Sequence, residues 1–332
     1  MRAAIIHNPY AGQVSLKLEL EDVLNFLGRY GWITSCQETT KPKEATELAR
    51  QAAERGAEIV IAAGGDGTIN EVVNGIMGSD VALGVLPVGT TNVWALQMGI
   101  PTPNPLLQSI RALTSFTDLE KRIAHPLPSN YYRKVLLRAA KVLIEGHVTY
   151  VDVGEVSGRY FLLWAGIGLD AEIIDSISSK EKKTLGSWAY LLPAFGTARR
   201  YHSTDICLRS DGKVINTSTS LVVVSNIQLY GGFLPIGAKA RVNDGKLDVC
   251  LFKGQGFFTF VKHAMKVLSN RQFRDPKIEY YQCTRLTVEA SRVLPVHVDG
   301  EPFTKTPIVI RNLPSALKVI VPVKTSGNLF NS

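Results

Sequence analysis

Near the start of the chain a strand, a glycine loop and a helix follow one another without interruption. Ile59-Val60-Ile61-Ala62-Ala63 has the composition and length of a buried parallel strand. Gly64-Gly65-Asp66-Gly67-Thr68 comes next, and Ile69, Val72, Val73 and Ile76 then recur at helical period. That order suits a phosphate. Glycines let the backbone approach closely and take up positive φ, exposed N–H groups face the anion, and the positive end of the helix dipole points at the same spot. A Gly-containing turn is often plain punctuation between strand and helix, but three Gly, an Asp and a Thr in five residues favour a nucleotide site.

The flanking segments extend the pattern. Residues 3–6 form a short apolar strand that ends in Asn8-Pro9-Tyr10-Ala11-Gly12, a turn at the carboxyl end of a strand, where open α/β sheets bind ligands. Leu16, Leu20, Val23, Leu24 and Leu27 predict an amphipathic helix, residues 32–36 a second strand, and Thr39-Thr40 the start of a helix over 42–55. After the glycine loop, residues 81–86 predict a fourth strand, closed by Pro87-Val88-Gly89-Thr90-Thr91-Asn92, with a helix over 93–98. Four β/α units with turn chemistry at the same end of each strand imply a doubly wound parallel sheet. The turns at Asn8, Thr40, Gly64 and Gly89 should then share one rim. Residues 101–130 read as a loose insert with a short helical pattern over 106–113. In 131–143 a basic face lies opposite an apolar one, which favours a core-packed helix with a solvated side over a helix lying on a membrane.

From Thr149 onward the texture is β-rich. Residues 150–153, 159–165, 221–225, 246–252, 285–289 and 293–298 alternate or are rich in β-formers, with Asn243-Asp244-Gly245 and Asp299-Gly300 as hairpin signals. Helices are expected at 185–195 and 257–268, and 325–332 reads as a frayed tail. The expected domains are 1–147 (α/β) and 148–324 (β-rich).

Bulk properties bound the partners. The 332 residues are 45% hydrophobic and 20% charged, an ordinary globular balance with room for two domains. The net charge of +8 suggests an anionic partner: a nucleotide, a nucleic acid or an anionic membrane surface. No basic run is interleaved with aromatics, so a nucleic-acid partner is not expected. No apolar run approaches the roughly 18–20 residues that span a bilayer, so any membrane contact would be peripheral. Polar His7-Asn8-Pro9 follows the first strand at once, which predicts no signal peptide. Cys36, Cys207, Cys250 and Cys283 lie far apart and read as reduced thiols of a cytoplasmic protein. The six histidines show no paired spacing and read as structural.

Asn8-Pro9-Tyr10-Ala11-Gly12, Gly64-Gly65-Asp66-Gly67-Thr68-Ile69-Asn70-Glu71, Pro87-Val88-Gly89-Thr90-Thr91-Asn92 and Val298-Asp299-Gly300-Glu301, with Ala165-Gly166-Ile167-Gly168-Leu169-Asp170-Ala171 between them, closely resemble the diacylglycerol kinase catalytic-domain family. That family takes in bacterial soluble lipid kinases, sphingosine kinases and ceramide kinases. The resemblance implies an α/β nucleotide domain of the NAD kinase and diacylglycerol kinase type, a β-rich lipid-substrate domain, and an active site in the cleft between them. It implies ATP and Mg2+ as cofactors and transfer of the γ-phosphate to a hydroxyl of a diacylglycerol-like or sphingoid lipid. By position the nucleotide contacts are Asn8, Pro9, Gly12, Thr40, Gly64, Gly65, Asp66, Gly67, Thr68, Asn70, Glu71, Gly89, Thr90, Thr91 and Asn92. The resemblance implies that Asp66 is the carboxylate acting on magnesium through water, and that Glu301 is the general base with Asp299 beside it. A second, structural magnesium would fall at Arg241, Asp244 and the backbone of Lys246, although Asn-Asp-Gly also explains itself as a turn. A homodimer is a further partner expectation.

Family members often carry Asp after the Asn of the PxGTxN motif, and this chain has Val93. That departure leaves room for a degenerate kinase acting as a lipid- or nucleotide-binding regulator. The glycine element also resembles NAD kinases and phosphofructokinases, against which the Asn8 turn and residues 298–301 argue.

Overall fold

A computed structural model describes residues 1–12, 16–89, 91–103, 129–176, 202–325 and 328–331. The expected site residue Thr90, the helical pattern at 106–113, the helix at 185–195 and nearly all of the insert lie outside the described residues. The chain divides into two compact units, Met1–Tyr150 with Leu317–Ser326, and Val151–Ala316 with Gly327–Ser332.

The first unit is built on four parallel strands, β1 (Arg2–His7), β2 (Ile33–Glu38), β3 (Ile59–Gly64) and β4 (Ala82–Pro87), in the order β2-β1-β3-β4. Every residue of β3 and β4 is buried, which is why these segments are unbroken apolar runs, while the edge strand β2 is largely exposed. The order reverses after β2. Right-handed crossovers therefore put α1 (Lys17–Arg29) on one face, and α2 (Glu44–Glu54) and α3 (Asp66–Ile76) on the other. α2 and α3 pack side by side. After the short α4 (Val93–Gln97), α5 (Ser129–Glu145) packs on α1 and β4, burying Leu136, Ala139 and Leu143 as its pattern predicts.

The second unit is antiparallel. One sheet runs β12 (Ile278–Cys283), β11 (Leu247–Phe252), β10 (Leu221–Ser225), β7 (Trp164–Gly168), β14 (Pro295–Val298), β15 (Glu301–Lys305). The other layer joins β9 (Lys213–Thr219), β8 (Thr204–Ser210), β13 (Arg285–Ala290) and the first part of β16 (Ile308–Val321), with β5 (His147–Val156) and β6 (Arg159–Phe161). One core holds the two layers together: Ala165, Ile167, Val222, Val224, Val249 and Val296 from one, Phe161, Leu208, Leu286, Val288 and Ile310 from the other. α6 (Leu169–Ser176) follows β7, and α7 (Phe257–Leu268) lies over Leu221 and Phe252. Asn243-Asp244-Gly245 precedes β11 without closing a hairpin, because β11 returns on β10 over a long connection. Asp299-Gly300 does close one, with φ of 47° and 79° as a type I′ turn requires. Residues 328–331, part of the 325–332 tail expected to fray, lie against this unit: Leu329 is buried, its carbonyl accepts from the Val242 N–H at 2.9 Å, and Arg241 holds the Asn331 amide oxygen.

Candidate active site

In an open α/β sheet the ligand crevice lies where the strand order reverses, outside the carboxyl ends of the two strands on either side. Here those strands are β1 and β3, so the fold selects Asn8 and Gly64-Gly65, with the loop after β4 next to them. The three loops interlock. Asn8 donates its side-chain N–H to Thr68 Oγ1 at 3.0 Å, and its Oδ1 accepts from the Tyr10 N–H at 2.9 Å. Gly65 and Gly89 meet backbone to backbone: a Cβ on Gly89 would lie 2.5 Å from the Gly65 Cα. A Cβ on Gly12 would lie 2.4 Å from the Val88 carbonyl oxygen. Only glycines let the three turns come this close. α3 begins directly at this junction, with Gly65 as its N-cap, so its first N–H groups and dipole face the same place. The backbone here forms a junction of the kind that can hold an anion.

The side chains around it do more holding than the sequence suggests. Asp66 accepts the backbone N–H groups of Val93 (2.9 Å) and Trp94 (3.0 Å), fixing the loop after β4 to the start of α3. Burial pushes its carboxyl above the usual carboxylate range, against the backbone amides of Trp94, Val93 and Asp66 itself, which favour the charged form. Asn92, buried at φ 52°, closes its own loop, accepting from the Gly89 N–H at 2.9 Å and donating to the Gly89 carbonyl. Glu71 faces α2, where its carboxylate accepts the N–H groups of Lys43 (3.0 Å) and Ala45 (3.1 Å). Asn70 is buried under the loop, and Asn74 donates to its carbonyl at 2.9 Å. Thr40 lies exposed at the end of β2, donating through N and Oγ1 to Glu44. Pro9 is exposed, and Gly67 and Thr91 are half-buried. A carboxylate offers about four acceptor positions. Asp66 therefore keeps acceptor capacity for water on a metal, while Val93, buried, adds none.

In the second unit, the β14–β15 turn is tied down by Asp299. Its carboxylate accepts three backbone N–H groups, from Leu162 (3.1 Å), Leu163 (3.0 Å) and Trp164 (2.9 Å). This is the work of a scaffold residue. Glu301, partly exposed, is held through Oε2 by the Arg159 guanidinium, which also lies over the Phe303 ring at 5.2 Å. Beneath the turn is a cluster the sequence reading did not assign. His297 is fully buried, its Nδ1 accepting from the Gly300 N–H at 3.3 Å. Its Nε2 therefore carries the hydrogen and donates to Asp170, which also accepts from the Tyr230 hydroxyl. A Cβ at Gly166 would lie 2.1 Å from His297 Nε2, so the glycine makes room for the ring. The available signals were the Asp in Gly166-Ile167-Gly168-Leu169-Asp170 and the His two residues before Asp299.

Arg241, Asp244 and Lys246 border one polar cavity of about 670 Å³. Asp244 Oδ1 accepts from the Lys246 N–H at 3.0 Å, and burial, with neighbouring Asp152, pushes its carboxyl up. Asp152 is itself occupied by the N–H groups of Gly245 (2.6 Å) and Ser315 (2.8 Å). Among the described residues no group of three or more His, Cys, Asp or Glu could hold a metal.

Comparison with known proteins agrees with both units. A profile of the diacylglycerol kinase catalytic domain matches residues 2–120, and one of the YegS C-terminal NAD kinase beta sandwich-like domain matches residues 164–321. A diacylglycerol kinase of Bacillus subtilis (strain 168) is 32% identical over 330 residues, covering 99% of each chain. One from Staphylococcus aureus (strain MRSA252) is 29% identical, covering 97% of this chain and 92% of its own. A Bacillus anthracis crystal structure assigned as a diacylglycerol kinase superposes with a TM-score of 0.76 at 25% identity, covering 98% of this chain and 96% of its own. Loops that interlock at the switch point, a sandwich carrying the Asp-Gly-Glu turn, and a relative matched end to end leave one assignment: the chain belongs to the diacylglycerol kinase family of lipid kinases.

Proposed function

We propose that the chain transfers the γ-phosphate of ATP to the hydroxyl of a diacylglycerol-like or sphingoid lipid. The observation that carries this reading is the backbone contact of Gly65 with Gly89 at the start of α3, which shapes a phosphate cradle no side chain can enter. Phosphoryl transfer asks the protein mainly for positioning and charge neutralisation, with one base for the acceptor's proton. The N–H groups at the start of α3 hold the phosphate chain. Asn8, Gly12 and Thr68 shape the wall beside it, and Gly89 and Thr91 the opposite one. Magnesium arriving with ATP would be held by Asp66 through water and would neutralise charge on the phosphates. Arg159 fixes Oε2 of Glu301, and the other carboxylate oxygen takes the hydroxyl proton. Asp299 and His297 hold the turn that carries Glu301.

No helix among the described residues is long and apolar enough to cross a membrane. We place the encounter with the lipid at the bilayer surface. Radiolabelled ATP with mixed micelles of diacylglycerols and sphingoid bases tests the activity, and absence of magnesium-dependent labelling of any lipid overturns it. Glu301→Gln is expected to abolish labelling while ATP binds as in the wild type. Full turnover by that variant would remove Glu301 from its role.

A further inference from the structure

We propose that the outward face of α7 (Phe257–Leu268) is the surface that docks on an anionic lipid bilayer. This rests on the lipid-kinase reading and adds the face that meets the lipid.

α7 is apolar on two sides. One side does ordinary core work: His263 and Val267 are buried, and with Phe260 they line a small apolar cavity of about 60 Å³ over Leu221 and Phe252. On the other side Phe258, Val261, Met265 and Leu268 follow one another at helical spacing, so they share a stripe. Their exposures are 86%, 37%, 63% and 54%. A helix resting on a core normally gives that position to polar residues.

Among the described residues the exposed charges bordering the stripe are basic. Lys262 and Lys266 lie one turn apart between the two apolar faces, and α7 contains no acidic residue. Arg271, Arg274 and Lys277, just beyond the helix, are exposed. The one acid of that stretch, Asp275, is buried and paired with Lys266 at 2.6 Å. An apolar stripe containing Phe, Met and Leu, bordered by Lys262, Arg271 and Arg274, is the composition of a helix lying in a bilayer interface. A second copy docking through the same face would set Lys262, Arg271 and Arg274 against their own equivalents, which like-charge repulsion opposes. An anionic lipid surface satisfies both the stripe and its border.

Co-sedimentation of the full chain with phosphatidylcholine vesicles, with and without phosphatidylglycerol, tests this. The wild type should bind the anionic vesicles, and binding should weaken as salt is raised. Phe258→Ser with Met265→Ser should lose roughly tenfold or more in partitioning, and Lys262→Glu a comparable amount on anionic vesicles only. Both variants should melt like the wild type and phosphorylate a short-chain, water-dispersed diacylglycerol at its rate. Wild-type protein that ignores anionic vesicles, or a double variant that binds them unchanged, overturns the docking face. So does a wild-type dimer that the double variant dissociates while vesicle binding persists. Should vesicle binding follow this pattern while no lipid is ever phosphorylated, the docking face stands and the kinase reading falls.

Discussion

Asp299 accepts three buried amides, so its removal leaves three N–H groups without an acceptor. At about 1–3 kcal/mol for each orphaned donor, Asp299→Ala should cost on the order of 3 kcal/mol or more of stability. Asp299→Asn keeps one acceptor oxygen and should fall between. Denaturant titration of both variants alongside lipid phosphorylation separates the two roles open to this residue. A scaffold loses stability and activity in parallel, whereas a proton acceptor would lose activity in Asn and Ala alike at unchanged stability. Gly89 poses the matching question in the first unit. A Cβ there would press on the Gly65 Cα at 2.5 Å and the Asn92 Oδ1 at 2.9 Å. Gly89→Ala should therefore part the loops and weaken ATP binding at least tenfold by isothermal titration, leaving vesicle binding as it was.

At the level of elements, much of the first unit could be read in advance, because buried parallel strands and glycine turns write themselves locally: β3, its loop and α3 follow the pattern of 59–76 almost residue by residue. The β8–β9 hairpin was not foreseen, since 204–219 alternates polar and apolar residues weakly. Site roles were harder still. Asp66, Asn92 and Glu71 sit in motif positions, yet their visible bonds go to backbone amides, and a sequence motif does not distinguish a ligand contact from the cap that shapes it. Arg159, Asp170, Tyr230 and His297 come from separate segments and meet only through the sheet. α7 offers a test of a single element. His263 donates Nε2–H to the Lys253 carbonyl at 2.9 Å, which leaves its Nδ1 facing Asp275 at 3.9 Å. Burial pushes its pKa below 6.5, helped by Lys277 and Lys266 and opposed by the Lys253 carbonyl and Asp275. The folded state thus holds a neutral ring where the unfolded chain would protonate. That contribution to stability is complete above about pH 6.5 and is lost as pH falls through the folded value. Hydrogen exchange of residues 257–268 should accelerate, beyond the intrinsic pH effect, as pH falls below about 6.5, and His263→Gln should flatten the difference.

For the molecule as a whole, the path of the last strand matters more than the domain boundary near residue 150. β16 enters in the second unit, pairs with β13, and ends in the first unit, where Lys318 and Val319 lie beside Ala82 and Leu83. There it buries Leu317, Val319, Ile320 and Val321, and Lys318 pairs with Asp80. Each buried aliphatic side chain contributes about 1.5–3 kcal/mol, so the strand end supplies roughly 6–12 kcal/mol to the first unit. Total stabilities of domains are about 5–15 kcal/mol. A fragment ending at residue 150 should therefore fail to fold, despite containing every nucleotide-loop residue, and should expose β4 as a sticky edge. A fragment in which residues 317–325 are rejoined to 1–150 through a flexible linker should recover a cooperative melt and ATP binding. Circular dichroism melts and nucleotide titration of the two fragments decide the matter. A stable, ATP-binding 1–150 fragment would show that the α/β half stands without its borrowed strand.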